Sequence, residues 1–173
     1  MTERDLRRKL LSHLLNNNWV VLEEVPIEKD GLRGRADLVA SHLEYKDLGW
    51  FLFEIKKDDL GFAEAFTKAH KQIVRYVGVK FADHRLAGAR PTVFVYCFPS
   101  PGARWLGTGE AFIVLRFFNR YGIGLLPWPF DSIIFNPNRS SKLDLHLDPR
   151  KNSRWFDVSQ LKKYLEARTF GPE

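Results

Sequence analysis

One cysteine, Cys97, stands among 173 residues, so no disulfide can close within this sequence and no cysteine-rich zinc site can be built from it. Any bound metal must then be held by oxygen or histidine. The scarcity of thiols also suits a reducing, intracellular (cytoplasmic) setting. No run of about 18 apolar residues occurs, and no N-terminal stretch joins a basic start to an apolar core and a small-residue cleavage site. Neither a membrane span nor export by that route is expected. Repeats, low-complexity tracts and linker-like stretches are also missing, which predicts a single domain over residues 1–173. His42, His70, His84 and His146 lack ligand spacing such as HExxH and are read as incidental.

What is present supports a packed core and an anionic partner. Hydrophobic residues make up 45% and aromatic residues 14%, enough for a chain of this size to bury a core without covalent staples. Lysine and arginine number 27 against 21 acidic residues, a formal charge of +6 that favours contact with a phosphate backbone.

Along the chain, Leu6, Leu10, Leu11 and Leu14 recur at helical spacing behind Thr2, a candidate cap, and predict an amphipathic helix over 2–17. Trp19 to Ile27 is rich in β-branched and aromatic residues. Lys29-Asp30-Gly31 then supplies a turn, and Ala36 to Ala40 resumes an apolar run, so a hairpin with a basic tip is expected. A third strand covers 49–57, with Trp50, Leu52, Glu54 and Lys56 on one face and Phe51, Phe53, Ile55 and Lys57 on the other. A helix over about 61–81 and a buried strand over 91–98 follow, giving the order αβββαβ. Farther on, 110–121 has helical character, 122–128 and 132–135 read as short strands, 136–153 as loop, and 157–168 as a last helix capped by Asp157 or Ser159.

The chemistry is concentrated in the third strand. Glu54 and Lys56 share one side of an apolar strand, where charged residues are found when paired or coordinating. Asp37 interrupts another apolar run, and if the two strands are neighbours its carboxylate can converge with Glu54 on one cation. Two carboxylates and a lysine form a hard-oxygen site with a charged donor, suited to Mg²⁺ and a phosphodiester. The carboxylates position the ion, which activates a water and offsets charge on phosphate, while the lysine orients that water or stabilises the transition state.

These residues resemble the PD-(D/E)xK nuclease superfamily, including its RecB-like members. The resemblance rests on Gly34-Arg35-Ala36-Asp37-Leu38-Val39, on Phe53-Glu54-Ile55-Lys56-Lys57, and on Gln72-Ile73-Val74-Arg75-Tyr76, which is similar to a QxxxY motif. Ala36 stands where the family often has proline. The resemblance implies an α/β, restriction-endonuclease-like core with a central mixed sheet flanked by helices, followed by C-terminal additions. It implies Asp37 and Glu54 as metal ligands, Lys56 as the catalytic lysine, and Gln72 and Tyr76 as a supporting pair. The family usually adds an upstream glutamate, for which Glu24 is chosen, with Glu3 and Glu23 as alternatives. It often places a histidine in the first helix, where His13 is a candidate.

Arg33, Arg35, Lys57, Lys71 and Arg75 flank the proposed site and are expected to contact the DNA backbone, a solvated basic face being the competing reading. Arg139, Lys142, Arg150, Lys151 and Arg154 form a second basic region, read as a solvated loop, while Trp105, Trp128 and Trp155 are read as packing residues and Cys97 as core. The expected function is Mg²⁺-dependent hydrolysis of DNA, with Mn²⁺ able to substitute, in repair, recombination, restriction or a mobile element. A homodimer would address two strands. The alternatives are a nucleic-acid-binding module that no longer cuts and a structural protein whose charge serves assembly.

Overall fold

A computed structural model of the chain describes residues 1–57, 67, 71, 75–86, 88–99, 123–130, 132–134 and 142–144. Its first element is helix α1 (Glu3–Asn16), started by a capping box. The Thr2 hydroxyl accepts from the Asp5 amide at 3.1 Å, and the Asp5 carboxylate accepts from the Thr2 amide at 3.2 Å. One stripe of the helix, Leu6, Leu10 and Leu14, is fully buried, so truncating any of the three to alanine should cost about 2–5 kcal/mol.

Strands β1 (Trp19–Lys29) and β2 (Leu32–His42) form a long antiparallel hairpin. Its turn, Asp30-Gly31, has positive φ at both residues (50° and 77°), the conformation that makes aspartate-glycine a strong hairpin signal. β3 (Trp50–Ile55) pairs antiparallel with β2, and β5 (Pro91–Phe98) lies parallel to β3. β6 (Ile123–Pro127) is parallel to β5, and β7 (Ser132–Ile134) and β8 (Lys142–Asp144) complete an antiparallel edge. The two-residue β4 (Lys80–Phe81) adds to the other side of β1, giving one mixed sheet in the order β4-β1-β2-β3-β5-β6-β7-β8.

The sheet separates two apolar layers. Phe51, Phe53 and Ile55 pack with the α1 leucines, while Leu52 packs on the opposite side with Val39, Phe94 and Tyr96, as the alternation in the third strand requires. The hairpin does not keep a single alternation. On β1, Trp19 and Val21 face the α1 layer, yet Val25 and Ile27, of the same parity, face the other. On β2, Leu38 and Ala40 face α1, whereas Ala36 joins Val39 opposite. Pairing is in one register on either side of the change, Glu23↔Leu38 and Val25↔Ala36, so the reversal falls at Glu24 and Asp37 together. Glu24 has φ 52°, which breaks the pleat where a bulge would, without changing the pairing.

Three expectations are revised. The helix expected through residue 81 ends earlier: Thr67, Lys71, Arg75 and Tyr76 are helical, Gly78 has φ 84°, and Lys80–Phe81 pair with β1 as β4. That strand also adds an element to the αβββαβ order. The loop expected over 136–153 contains β8. The helices expected over 110–121 and 157–168, together with Gln72, Trp105, Trp155, Arg139, Arg150, Lys151 and Arg154, lie outside the described residues. Cys97 and His42 are buried, the latter beside Trp19 and Tyr45, and His13 lies against Phe130. Half-buried Trp128 packs on Phe130 beneath the Lys9 ammonium. No helix among the described residues is long and apolar enough to cross a membrane.

Candidate active site

The C-terminal end of β3 lies between an antiparallel and a parallel neighbour, and the two treat it differently. Toward β5 the ladder continues through Glu54↔Tyr96 and Ile55↔Cys97, and the Lys56 amide donates to the Cys97 carbonyl at 3.0 Å. Toward β2 it stops at Leu38↔Phe53; the next step in that register sets Asp37 opposite Glu54. There the backbone pairing is replaced by a side chain, since the Ile55 amide donates to Asp37 Oδ2 at 2.8 Å. The pleat reversal at Glu24 and Asp37 and the end of β2–β3 pairing therefore coincide, and they place two carboxylates side by side on adjacent strands.

Glu54 is the most constrained of them. Its side chain is 3% exposed, and Oε1 accepts from the Lys56 ammonium at 2.6 Å. Oε2 is buried, with no hydrogen-bond partner among the described residues. Burial, and then the charge of Asp37, push the Glu54 carboxyl up to about 7; Lys56 pulls against them, and Glu3 adds a smaller push. Lys56 responds oppositely: burial would lower its pKa, but Glu54, Asp37 and Glu3 outweigh it and the ammonium is held above its ordinary value. Buried Glu54 and half-buried Asp37 thus lie about the Lys56 ammonium, with Arg7 near enough to interact with Asp37 and Glu3 adding a further negative charge. Such perturbed groups gather where a protein binds charge or moves protons, although structural ion pairs can perturb them as well.

The donor set can be tested against a divalent cation. A buried carboxylate oxygen lacking a donor, beside a second carboxylate whose charge opposes ionisation, is the electrostatic condition that a hard cation relieves. Mg²⁺ is commonly held by one or two carboxylates, with water or phosphate oxygens completing its shell. Asp37 and Glu54 could hold it in that way. A third ligand is not assembled: among the described residues no group of three histidine, cysteine or acidic side chains is poised around a metal position.

Glu24, expected as that third ligand, occupies the hairpin position opposite Asp37 but is bound elsewhere. Its Oε1 accepts from Arg7 in a close ion pair and its Oε2 lies 3.4 Å from the Arg35 guanidinium, contacts that hold the Glu24 carboxyl below its ordinary range. Arg7 also bonds Glu23 at 3.1 Å. Of the two alternatives, Glu3 is the one whose charge reaches both Glu54 and Lys56.

The five flanking cations divide. Arg33, Lys71 and Arg75 line one groove with Tyr76, Arg35 pairs with Glu24, and Lys57 is exposed just beyond β3. Sequence reasoning passed over Arg7, although Glu3 and Arg7 stand one turn apart on α1. It also passed over Leu32, whose signal was an apolar residue set between Gly31 and Arg33 at a turn. Compared with known proteins, the chain matches no family model, no curated protein sequence and no solved structure.

Proposed function

We propose that this protein is a metal-dependent DNA nuclease with a restriction-endonuclease-like core. The observation that carries the reading is Glu54, buried on a strand, charge-paired to Lys56, bordered by Asp37 and, among the described residues, left with an unpartnered oxygen. The succession of an antiparallel β1-β2-β3 meander, a helical segment and a parallel β5 supports the architecture, as does a helix packed on the sheet from the N-terminal side.

Bound at Asp37 and Glu54, Mg²⁺ or Mn²⁺ would supply a polarised water and offset the charge developing on the phosphate. Asp37, anchored through Ile55, presents its carboxylate at fixed geometry, and Glu54 places a second oxygen beside it. Lys56, kept cationic by its neighbours, stabilises the developing anion on the phosphoryl oxygens or orients the attacking water. Attack on phosphorus breaks the bond to the leaving oxygen. Gln72 and Tyr76 would serve as a supporting pair, with Arg33, Lys71 and Arg75 as backbone contacts. Repair, recombination, restriction or a mobile element are the settings such an activity fits, and a homodimer would let two centres address two strands.

A second reading has its own support. Glu24 is held by arginines and no three-ligand cluster exists among the described residues, which favours a nucleic-acid-binding module that does not cut.

The two separate when wild type and Glu54→Ala are incubated with circular, linear duplex, single-stranded and branched DNA under Mg²⁺, Mn²⁺ or EDTA. Metal-dependent cleavage that disappears in the variant supports the nuclease. Equal binding by both proteins with no cleavage by either supports the binding module.

A further inference from the structure

A groove of about 760 Å³ opens between the hairpin tip and the helical segment bearing Lys71, Arg75 and Tyr76. Its floor is apolar: Ile27 and Val79 are buried and Tyr76 half-buried. Gly34 keeps that floor open. A Cβ at Gly34 would lie 3.4 Å from Ile27 Cγ1 and 3.6 Å from Tyr76 Cε1, so any larger side chain would occupy the space above the ring.

The rim has a different character. Arg33, Lys71 and Arg75 are exposed, Lys29 is anchored by donating to the Val77 carbonyl at 2.7 Å, and Glu28 is the sole acid among the described groove residues. Leu32, at the turn, is 74% exposed, the largest exposure among the large hydrophobic side chains described. In the hairpin register it lies opposite Lys29 and next to Arg33, an apolar side chain on an otherwise cationic rim.

From this combination we infer that the groove is a subsite for an unpaired nucleotide of a DNA strand, with the base on the Ile27–Tyr76 floor and Leu32 as a wedge against its neighbour. The inference rests on the proposed function for its choice of polymer. Stacking needs a free base face, and a paired base inside a duplex has none to offer. A duplex could satisfy the cations through its phosphates but would leave floor and wedge facing water, whereas an extruded or single-stranded nucleotide uses both. Apolar side chains inserted at base steps act as wedges in other nucleic-acid complexes. Gly34 and Asp37 are three positions apart on β2, about 10 Å of strand, so the subsite lies within a few nucleotides of the carboxylates. The nuclease would then act on strands that are unpaired near the cut.

The test is fluorescence anisotropy in EDTA with the full chain, using a short oligothymidylate and a hairpin duplex of the same phosphate count. Leu32→Ser alters only an exposed tip and should leave the fold intact; Gly34→Val fills the floor without changing charge. Wild type should prefer the single strand. Each variant should weaken single-strand binding by at least about 5-fold while leaving duplex binding unchanged. Lys71→Gln with Arg75→Gln should lower the salt slope of single-strand binding by about 1.4, for two lost phosphate contacts. Single-strand affinity unchanged in both Leu32→Ser and Gly34→Val, or equal loss for both DNA forms, would overturn the subsite. So would displacement of the oligonucleotide by polyglutamate of matched charge, which would mark a plain polyanion surface. Cleavage, assayed separately with Mg²⁺, reports on the Glu54 centre: base-selective binding without cleavage removes the nuclease and keeps the groove, and cleavage without base-selective binding does the reverse.

Discussion

Replacing Glu54 with glutamine keeps the side chain's shape while removing its charge, and with it the ion pair to Lys56, which makes it a direct probe of the net electrostatic balance at the site. Burial and the Asp37 carboxylate push the Glu54 carboxyl up to about 7, with Lys56 pulling back and Glu3 adding to the push. In the unfolded chain the same carboxyl titrates near about 4.3. Between those values the folded protein binds more protons than the unfolded one, so stability falls as pH rises through this window. By about pH 8 the gap corresponds to between roughly 3 and 4 kcal/mol lost from the wild type through this one group. Urea unfolding in EDTA should therefore find Glu54→Gln more stable than wild type by about 3 to 4 kcal/mol near pH 8, the advantage shrinking to a few tenths near pH 4. Adding Mg²⁺ near pH 8 should stabilise the wild type by about 2.7 kcal/mol at a hundredfold excess over Kd and leave the variant unmoved. If the variant proves no more stable than wild type near pH 8, the carboxylates are already balanced and the argument for a cation loses its electrostatic basis.

Other consequences can be checked with the same protein. Asp37→Asn keeps an acceptor for the Ile55 amide and removes the charge that opposes ionisation of Glu54, so near pH 8 it should unfold no more easily than wild type while the proposed cleavage is lost; Asp37→Ala should cost about 1 kcal/mol or more by stranding that amide. If the proposed hydrolysis is observed, Lys56→Gln should lower kcat by roughly 100-fold or more with little change in KM on the preferred DNA, because in that chemistry the ammonium acts on charge that develops during reaction. Gly49→Ala should destabilise by upwards of about 2 kcal/mol in urea, since φ is +75° and the new Cβ would sit 2.6 Å from Thr92 Cγ2. Thr92 cannot easily yield, because its hydroxyl donates to the Leu48 carbonyl at 2.6 Å.

Local patterns carried far where local physics decides. The Thr2 cap of α1, the Asp30-Gly31 turn, and the apolar run of β5 each specify their element within a few residues, and all three were legible, whereas the reciprocal Asp5 half of the cap was not read. The faces of β3 were legible too, because its alternation is unbroken. What escaped depends on partners distant in sequence. β4 is two residues long and exists only because Ile27 and Glu28 offer an open edge. The pleat reversal at Glu24 and Asp37 is unmarked by glycine, so period-two counting carried straight through it. Capture of Glu24 by Arg7 and Arg35 needs α1 laid against the hairpin, which no spacing along the chain announces. The pairing of Asp37 with Glu54 was anticipated only on the condition that their strands were neighbours, and β2 and β3 are neighbours.

The most direct test of the central claim is cleavage of an end-labelled DNA strand by wild type and Asp37→Asn, side by side, in Mg²⁺ and in EDTA. Products are expected from wild type with Mg²⁺ alone and from none of the other three reactions. Cleavage by Asp37→Asn at the wild-type rate, or by wild type in EDTA, would contradict the claim.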